Sequence, residues 1–156
     1  WWSGNSDGTE GVGVLVKEEL CKNIVEVQRK SNRVMTLEEE VVRIICVYGL
    51  QSGIMSADDD LRSEWDLHSI LKLVLGMGDF NGHVGKRIKD YEGVHGGNEI
   101  GERNVEGKML LEFCDEKELC VTNTWFKKRG YCKKKVTNST GENGTVIDFV
   151  LVGKEK

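Results

Sequence analysis

The sequence predicts an α/β fold, and three observations lead to this class. Short runs of β-branched and apolar residues with period-two patterning recur along the chain. Two longer segments place apolar residues at three- and four-residue spacings instead, which is typical of amphipathic helices. At 156 residues the chain is most economically one domain, long enough to bury roughly two-thirds of its unfolded surface. Strands mixed with helices favour a two-layer α/β arrangement or a β-sandwich flanked by helices.

The first half of the chain is predicted to consist mainly of strands. The run "GVGVLVKEEL" alternates valines on one face, and "NIVEVQ" and "RVMTLEE" follow as short strands with charged edges. Residues 41–49, "VVRIICVYG", are β-branched and apolar on both faces, so we expect a buried strand there. The spacing then predicts a helix over 56–71, with acidic residues in its first turn, where they stabilise a helix.

The second half alternates strands with one clear helix. "LKLVLGM" predicts a buried strand, and a polar, glycine-rich loop follows over 86–102. Structureless loops of this length are uncommon unless they are functional or disordered. A helix is predicted from about Asn104, its N-cap, to Glu118, followed by a strand at "LCVTNTWF". The run "KKKVTNSTGENGTVIDFVLV" then predicts a hairpin around "STGENG", with "VIDFVLV" as the last strand. The side chains expected on the buried side of this helix are Val105, Met109, Leu110 or Leu111, Phe113 and Cys114.

The composition excludes some functional classes. Apolar residues make up 38% and charged residues 31%, and no run approaches the roughly 20 apolar residues of a membrane helix. The formal charge of −4 gives no global basic field, so contact with nucleic acid would depend on local clusters or a metal ion. Five cysteines without a CxxC pair favour reduced thiols, and therefore a nuclear or cytoplasmic protein that is not secreted.

The stretch "MGDFNGHVG" carries the first candidate site. Asp79 and Asn81 directly follow a predicted buried strand, where side chains project into a cleft and ligands of α/β sheets collect. A carboxylate and an amide two residues apart can bind a divalent cation or activate water while contacting a phosphate. Gly78, Gly82 and Gly85 would permit the close turn and the close approach of a ligand. The alternative is an Asx turn, since Asp, Asn and Gly are ordinary turn residues.

Further candidates lie nearer the C-terminus. Asp148 is a carboxylate inside the apolar run "VIDFVLV", where it would need a partner unless it is a strand-edge acid facing solvent. The basic segment "FKKRGYCKKK" is either a solvated hairpin or a nucleic-acid contact with stacking surfaces beside it. The candidates for substrate contact there are Trp125, Lys127 and Arg129.

Four motifs in order change the weight of these alternatives. "VYGLQSG", "VLGMGDFNGHVG", "GERNVEGKMLLEFCDEKELCVTNTWFKKR" and "TVIDFVLVGK" together resemble the endonuclease/exonuclease/phosphatase family. Within it they look most like the apurinic-type endonuclease domains of LINE retrotransposons, and the match covers nearly the whole chain, 1–156. The resemblance implies a four-layered α/β sandwich of the DNase I type and hydrolysis of DNA phosphodiesters by an activated water with Mg²⁺ or Mn²⁺.

The resemblance also implies a role for each site residue. Asp79 would orient or deprotonate the attacking water and bind the metal ion, and Asn81 would hold the water and the scissile phosphate. Tyr48 matches the tyrosine that contacts the phosphate. Asp148 matches the carboxylate that pairs with the catalytic histidine. The chemistry is stabilisation of a pentacovalent phosphate by metal and dipoles.

The chain also departs from the family pattern. It contains no Ser-Asp-His run, and the early asparagine and metal-binding glutamate motifs are not found in it. We therefore expect an incomplete domain whose activity in isolation is weak or absent. The alternatives are an inactive remnant that binds protein or nucleic acid, and an inositol-phosphate or sphingolipid phosphatase of the same fold.

Overall fold

The computed structural model describes residues 1–49, 62, 73–127 and 146–154. The helix predicted over 56–71 and the hairpin turn around "STGENG" lie outside these residues. The described elements are, in order, β1 Trp2–Gly4, β2 Gly11–Gly13, α1 Glu18–Cys21, β3 Ile24–Arg29, β4 Val34–Glu39, β5 Val42–Tyr48, β6 Leu73–Asp79, α2 Val105–Glu116, β7 Leu119–Val121, a 3-10 turn Thr122–Thr124 and β8 Asp148–Gly153. By its internal contacts the chain divides into two units, Trp1–Gly78 and Asp79–Lys156.

The first unit is built from strands. β1 and β2 form an antiparallel pair, and β3, β4, β5 and β6 are neighbours in that order, with β3–β4 and β4–β5 antiparallel. Both faces of β4 are covered, because Val34, Met35, Thr36 and Leu37 are all buried. This explains why the apolar runs of this half are nearly continuous rather than alternating. The core cluster consists of Val12, Met35, Leu37 and Cys46, with the half-buried Tyr48 and Met77 packed against it.

The second unit packs one helix against strands. β7 and β8 are antiparallel, and α2 contacts β7. The rings of Phe80 and Phe149 lie 6.4 Å apart between centroids. The buried apolar side chains of this unit include Leu110, Leu111, Phe113 and Cys114 of α2, Leu119 and Val121 of β7, and Phe149 and Leu151 of β8.

Most predicted elements are confirmed, with corrections at their ends. The strand predicted at "GVGVLVKEEL" stops at Gly13, and Glu18–Cys21 is helical. The strand predicted at "LCVTNTWF" stops at Val121, because the Thr124 hydroxyl donates to the Val121 carbonyl at 2.6 Å and a 3-10 turn follows. β-branched and aromatic residues gave this turn a strand-like composition.

The helix predicted from Asn104 is present, with Asn104 as its N-cap, but it is shorter and its buried face differs. It ends at Glu116, before the left-handed backbone of Glu118, whose φ is 53°. Val105 was expected on the buried side but is 70% exposed. As the first helical residue it precedes the part of the helix that packs against the strands, whereas Gly107 faces inward.

The mixture of sheet and helices confirms the α/β class, while the number of layers stays a prediction. None of the helices in the described part of the chain has the length and apolar character needed to span a bilayer.

Candidate active site

Strand β6 ends at Asp79, and Gly78 determines how closely this strand end approaches its neighbour. A Cβ on Gly78 would lie 1.9 Å from the carbonyl oxygen of Val47, and its φ of 148° is one that side chains rarely adopt. Only glycine fits this position without moving the backbone. The close approach at Gly78 is thus one between two strand backbones, and the predicted approach of a ligand stays a prediction.

Asp79 and Asn81 form a tight turn at the strand end. One carboxylate oxygen of Asp79, Oδ1, accepts the backbone N–H of Asn81 at 2.8 Å. Asn81 has a φ of 50°, in the left-handed region that asparagine tolerates better than most residues. The Asx turn suggested by the sequence is therefore present. It does not exclude a site, because a carboxylate has a second oxygen that can accept a proton or bind a cation.

Asp79 and Asp148 lie within electrostatic range of one another. The backbone N–H of Phe80 donates to the carbonyl oxygen of Ile147 at 2.9 Å, which places the start of β8 beside the end of β6. Burial raises the pKa of the Asp79 carboxyl, the Asn81 N–H lowers it, and the negative charge of Asp148 raises it further. The Asp148 side chain is exposed at the start of β8, which agrees with the alternative of a strand-edge acid facing solvent.

Asn104 connects the turn after Asp79 to helix α2. Its side-chain oxygen accepts two backbone N–H groups, those of His83 and Gly107, each at 2.8 Å. Its own backbone N–H donates to the His83 carbonyl at 3.1 Å. The Asn104 side chain therefore caps the helix and binds the His83 N–H, while the Asn104 backbone binds the His83 carbonyl.

Gly107 makes this contact sterically possible. A Cβ on Gly107 would lie 2.0 Å from the His83 carbonyl oxygen, and a Cβ on Gly82 would lie 2.9 Å from the Gly107 nitrogen. The turn and the first turn of α2 therefore touch through their backbones. Any side chain at either glycine would have to push them apart.

Two more side chains hold the residues that follow His83. Arg103 Nε donates to the Val84 carbonyl at 3.1 Å, and its guanidinium lies 4.6 Å from the centre of the Tyr91 ring. His95 is 1% exposed, and its Nε2 lies 2.7 Å from the Gly85 carbonyl while its Nδ1 accepts the N–H of Gly97. These partners assign the proton to Nε2, and burial lowers the pKa of His95. His95 is thus a buried residue that links Gly85 to Gly97.

The loop over 86–102 is tied to the 3-10 turn rather than free. The backbone N–H of Gly96 donates to the Thr124 hydroxyl at 2.9 Å, and Asn98 donates to the Thr124 carbonyl through both its backbone and its side chain, each at 3.1 Å. Trp125 follows this turn and is 47% exposed, and Lys127 is also exposed. Arg129, the third candidate for substrate contact, lies outside the described residues.

Asn123 extends the pairing of β8 to the residue that carries the candidate carboxylate. β7 pairs with β8 only as far as Val121–Leu151. Beyond that point the Asn123 side chain donates to the Asp148 carbonyl at 3.0 Å and accepts the Val150 N–H at 3.2 Å. An amide side chain thus replaces a strand neighbour and fixes the backbone of Asp148.

Tyr48 ends β5 in the first unit, and Arg33 contacts it there. Asn104 was expected only as a helix cap, and Arg33, Arg103 and Asn123 were not singled out from the sequence. Their functions here come from tertiary hydrogen bonds, which local patterning does not encode.

The amino-acid sequence is similar to that of craniofacial development protein 2. No family model matches the chain. Over 150 residues it is 22% identical to craniofacial development protein 2 of Bos taurus and 21% identical to that of Tragulus javanicus. These matches cover 90% of the chain but only 25% and 26% of the relatives, so the chain spans about a quarter of their length.

The fold is similar to that of a solved nuclease. The endonuclease domain of TRAS1, a telomere-specific non-LTR retrotransposon, matches with a TM-score of 0.51 and 14% identity over 83% of this chain and 56% of that domain. At this identity the match speaks for the fold alone. The α/β fold is thus DNase I-like, and the resemblance to endonuclease/exonuclease/phosphatase proteins is confirmed in sequence and in fold.

Proposed function

We propose that this chain is part of an endonuclease/exonuclease/phosphatase domain that hydrolyses phosphodiester bonds of DNA with a divalent metal ion. The observation that carries the proposal is the half-buried Asp79 carboxylate at the end of β6, beside Asp148 and next to Asn81. The similarity to craniofacial development protein 2 and the nuclease-like fold support it. A retroelement origin is part of the same proposal.

The donor set near Asp79 fits Mg²⁺ or Mn²⁺. Mg²⁺ in proteins is commonly held by one or two carboxylates together with waters and substrate oxygens, and Asp79 would supply one such carboxylate, with the negative charge of Asp148 nearby. The described residues contain no group of three or more His, Cys, Asp or Glu side chains that could hold an ion by themselves. A bound ion would supply Lewis-acid stabilisation of the phosphate oxygens.

The residues of the turn would perform the proton chemistry. A carboxylate whose pKa is raised by burial accepts a proton from water more readily than an exposed one, which suits Asp79 for the role of general base. Its Oδ1 is held by the Asn81 N–H, so the carboxylate plane is fixed before substrate arrives. Asn81 would orient the water and the phosphate, and Tyr48 would contact the phosphate.

Trp125 and Lys127 would contact the nucleic-acid strand. Both are exposed next to the ordered 3-10 turn, and an aromatic face beside a cation suits a base next to its phosphate. Arg129 remains a candidate by sequence. The alternative function, a binding module without hydrolysis, would use the same surface.

A plasmid-nicking assay with Mg²⁺ tests the proposal. The chain and a version extended to the length of its relatives should be compared, each with an Asp79→Ala variant and with Asp7→Ala as a control at an exposed acid of the first unit. We expect nicking that EDTA abolishes and that Asp79→Ala reduces by a factor of about 100 or more, since it removes the base and a metal ligand. Weak nicking by the chain and strong nicking by the extended version would agree with the expected incompleteness.

Two outcomes would contradict the proposal. Nicking that survives Asp79→Ala would show that the activity arises elsewhere. Absence of nicking in the extended version, together with DNA binding in a fluorescence anisotropy assay, would support the binding module instead.

A further inference from the structure

Arg33 and Tyr48 are joined by an unusual number of contacts within the first unit. The Arg33 carbonyl accepts the backbone N–H of Tyr48 at 2.9 Å. Its guanidinium lies 4.9 Å from the centre of the Tyr48 ring, within the range of a cation–π contact. Nη1 of the same group faces the carbonyls of Tyr48 at 3.5 Å and Gly49 at 3.2 Å. Ring and backbone of Tyr48 are thus held by one residue.

The guanidinium is itself held in place. Its Nη2 donates to Oε1 of Glu10 at 2.6 Å, and the two side chains are 18% and 33% exposed. The other oxygen of Glu10 accepts the side-chain N–H of Asn5 at 3.4 Å. A partly desolvated ion pair with hydrogen bonds on both partners is oriented far better than an exposed one. The planar fork of arginine allows the carbonyl, carboxylate and ring contacts to be made at once.

Tyr48 lies at a strand end, where its contact with Arg33 adds to the support that the core cluster gives. It is the last residue of β5, packed on one side against the core cluster and half-buried. The chain leaves the strand immediately after it. A phenol at such a strand end would sample several orientations if nothing held its other face.

We propose that Arg33 is a positioning residue that fixes the ring of Tyr48 for contact with a phosphate of the DNA backbone. This inference rests on the proposed function, because Tyr48 is its phosphate contact. Arg33 acts through Tyr48 and does not itself touch the substrate. Glu10 holds the Arg33 guanidinium in the orientation that contacts the Tyr48 ring and the carbonyls of Tyr48 and Gly49.

A double-mutant cycle on DNA affinity tests this role. The probe is a fluorescein-labelled DNA duplex, measured by anisotropy in EDTA so that no hydrolysis occurs, with Arg33→Met, Tyr48→Phe and the double variant. We expect each single variant to weaken binding by about tenfold, the size of one charged contact or one phosphate hydrogen bond. The double variant should bind no more weakly than Tyr48→Phe alone, because Arg33 acts only by orienting a ring whose hydroxyl is already missing.

Two controls separate positioning from charge and from folding. Arg29→Met removes an arginine that also donates to a backbone carbonyl, that of Trp2, but does not contact Tyr48, and it should leave affinity within about twofold. Arg33→Lys keeps the charge without the fork, so it should restore only part of the affinity. If Arg33→Met does not fold, Glu10→Gln should still weaken binding in the same direction.

Several results would overturn the inference. If the loss of affinity in the double variant equals the product of the two single losses, Arg33 contacts DNA independently of Tyr48. Full rescue by Arg33→Lys would reduce its role to charge alone. An unchanged affinity in Tyr48→Phe would remove the phosphate contact and the role of Arg33 with it, whereas the proposed hydrolysis would still be decided by Asp79→Ala in the nicking assay.

Discussion

Replacing Asn104 by alanine should destabilise the second unit more than an ordinary surface substitution. Loss of an asparagine N-cap costs about 1 kcal/mol, because a helix N–H loses its acceptor. The same oxygen also accepts the His83 N–H, and an unsatisfied, partly buried donor costs roughly 1 kcal/mol more. The expected loss in unfolding free energy is therefore about 2 kcal/mol, or a fall in Tm of about 4–8 °C.

Urea unfolding followed by circular dichroism measures this change. Asn104→Asp is the matched control, since it keeps the acceptor oxygen and adds a negative charge that the helix N-terminus favours. It should stay within about 0.5 kcal/mol of the parent chain. The reasoning is refuted if Asn104→Ala is no less stable than the parent, or if Asn104→Asp loses as much as alanine does.

Three further predictions concern packing, protonation and thiol access. Gly107→Ala would stabilise an ordinary helix, but here it should lower the free energy of unfolding in urea by about 1–3 kcal/mol, because its Cβ would lie 2.0 Å from a backbone carbonyl oxygen. Gly153→Ala, whose Cβ would have no atom within 4 Å, should be near neutral, and equal effects of the two variants would contradict this reasoning. Burial lowers the pKa of His95, so its contribution to stability is present above the ordinary value of 6.5 and is lost as pH falls from there through the lowered pKa of the folded state. His95→Gln should lack this part of the pH dependence when unfolding is compared at pH 7.5 and 5.5. Burial raises the pKa of the Cys46 thiol to about 11, so iodoacetamide at pH 8 should label the half-exposed Cys21 before Cys46, as followed by peptide mass spectrometry. Labelling of Cys46 before Cys21 would contradict this prediction.

Much of the fold was predictable because burial and periodicity coincide in it. Strands β3 to β6 and β8 carry the β-branched and apolar runs that a buried sheet requires, and α2 carries both its cap and its apolar stripe. The 3-10 turn after β7 was missed because a side-chain hydroxyl, that of Thr124, ends the strand. Such a bond depends on where the turn lies in three dimensions, and composition does not report it.

The candidate site was predictable to a smaller extent. The motif located Asp79 and Asn81 at a strand end, and the structure adds that the turn and the candidate site use the same carboxylate. The residues that hold the turn and the segment after it, Asn104, Arg103 and His95, lie 10 or more positions from their partners along the chain. Sequence spacing gives no distance between such residues, so their partners become visible only in the folded chain.

The backbone contact between the site turn and helix α2 has a consequence for how this protein can change. Because Gly107 leaves no gap under His83, a shift of the helix cannot be absorbed by a flexible side chain and must move the turn with it. We therefore expect substitutions on the buried side of α2, such as at Leu111, to shift the position of the Asp79 carboxylate. A lineage that alters this helix is altering the geometry of its candidate active site, even when every residue of the motif is unchanged.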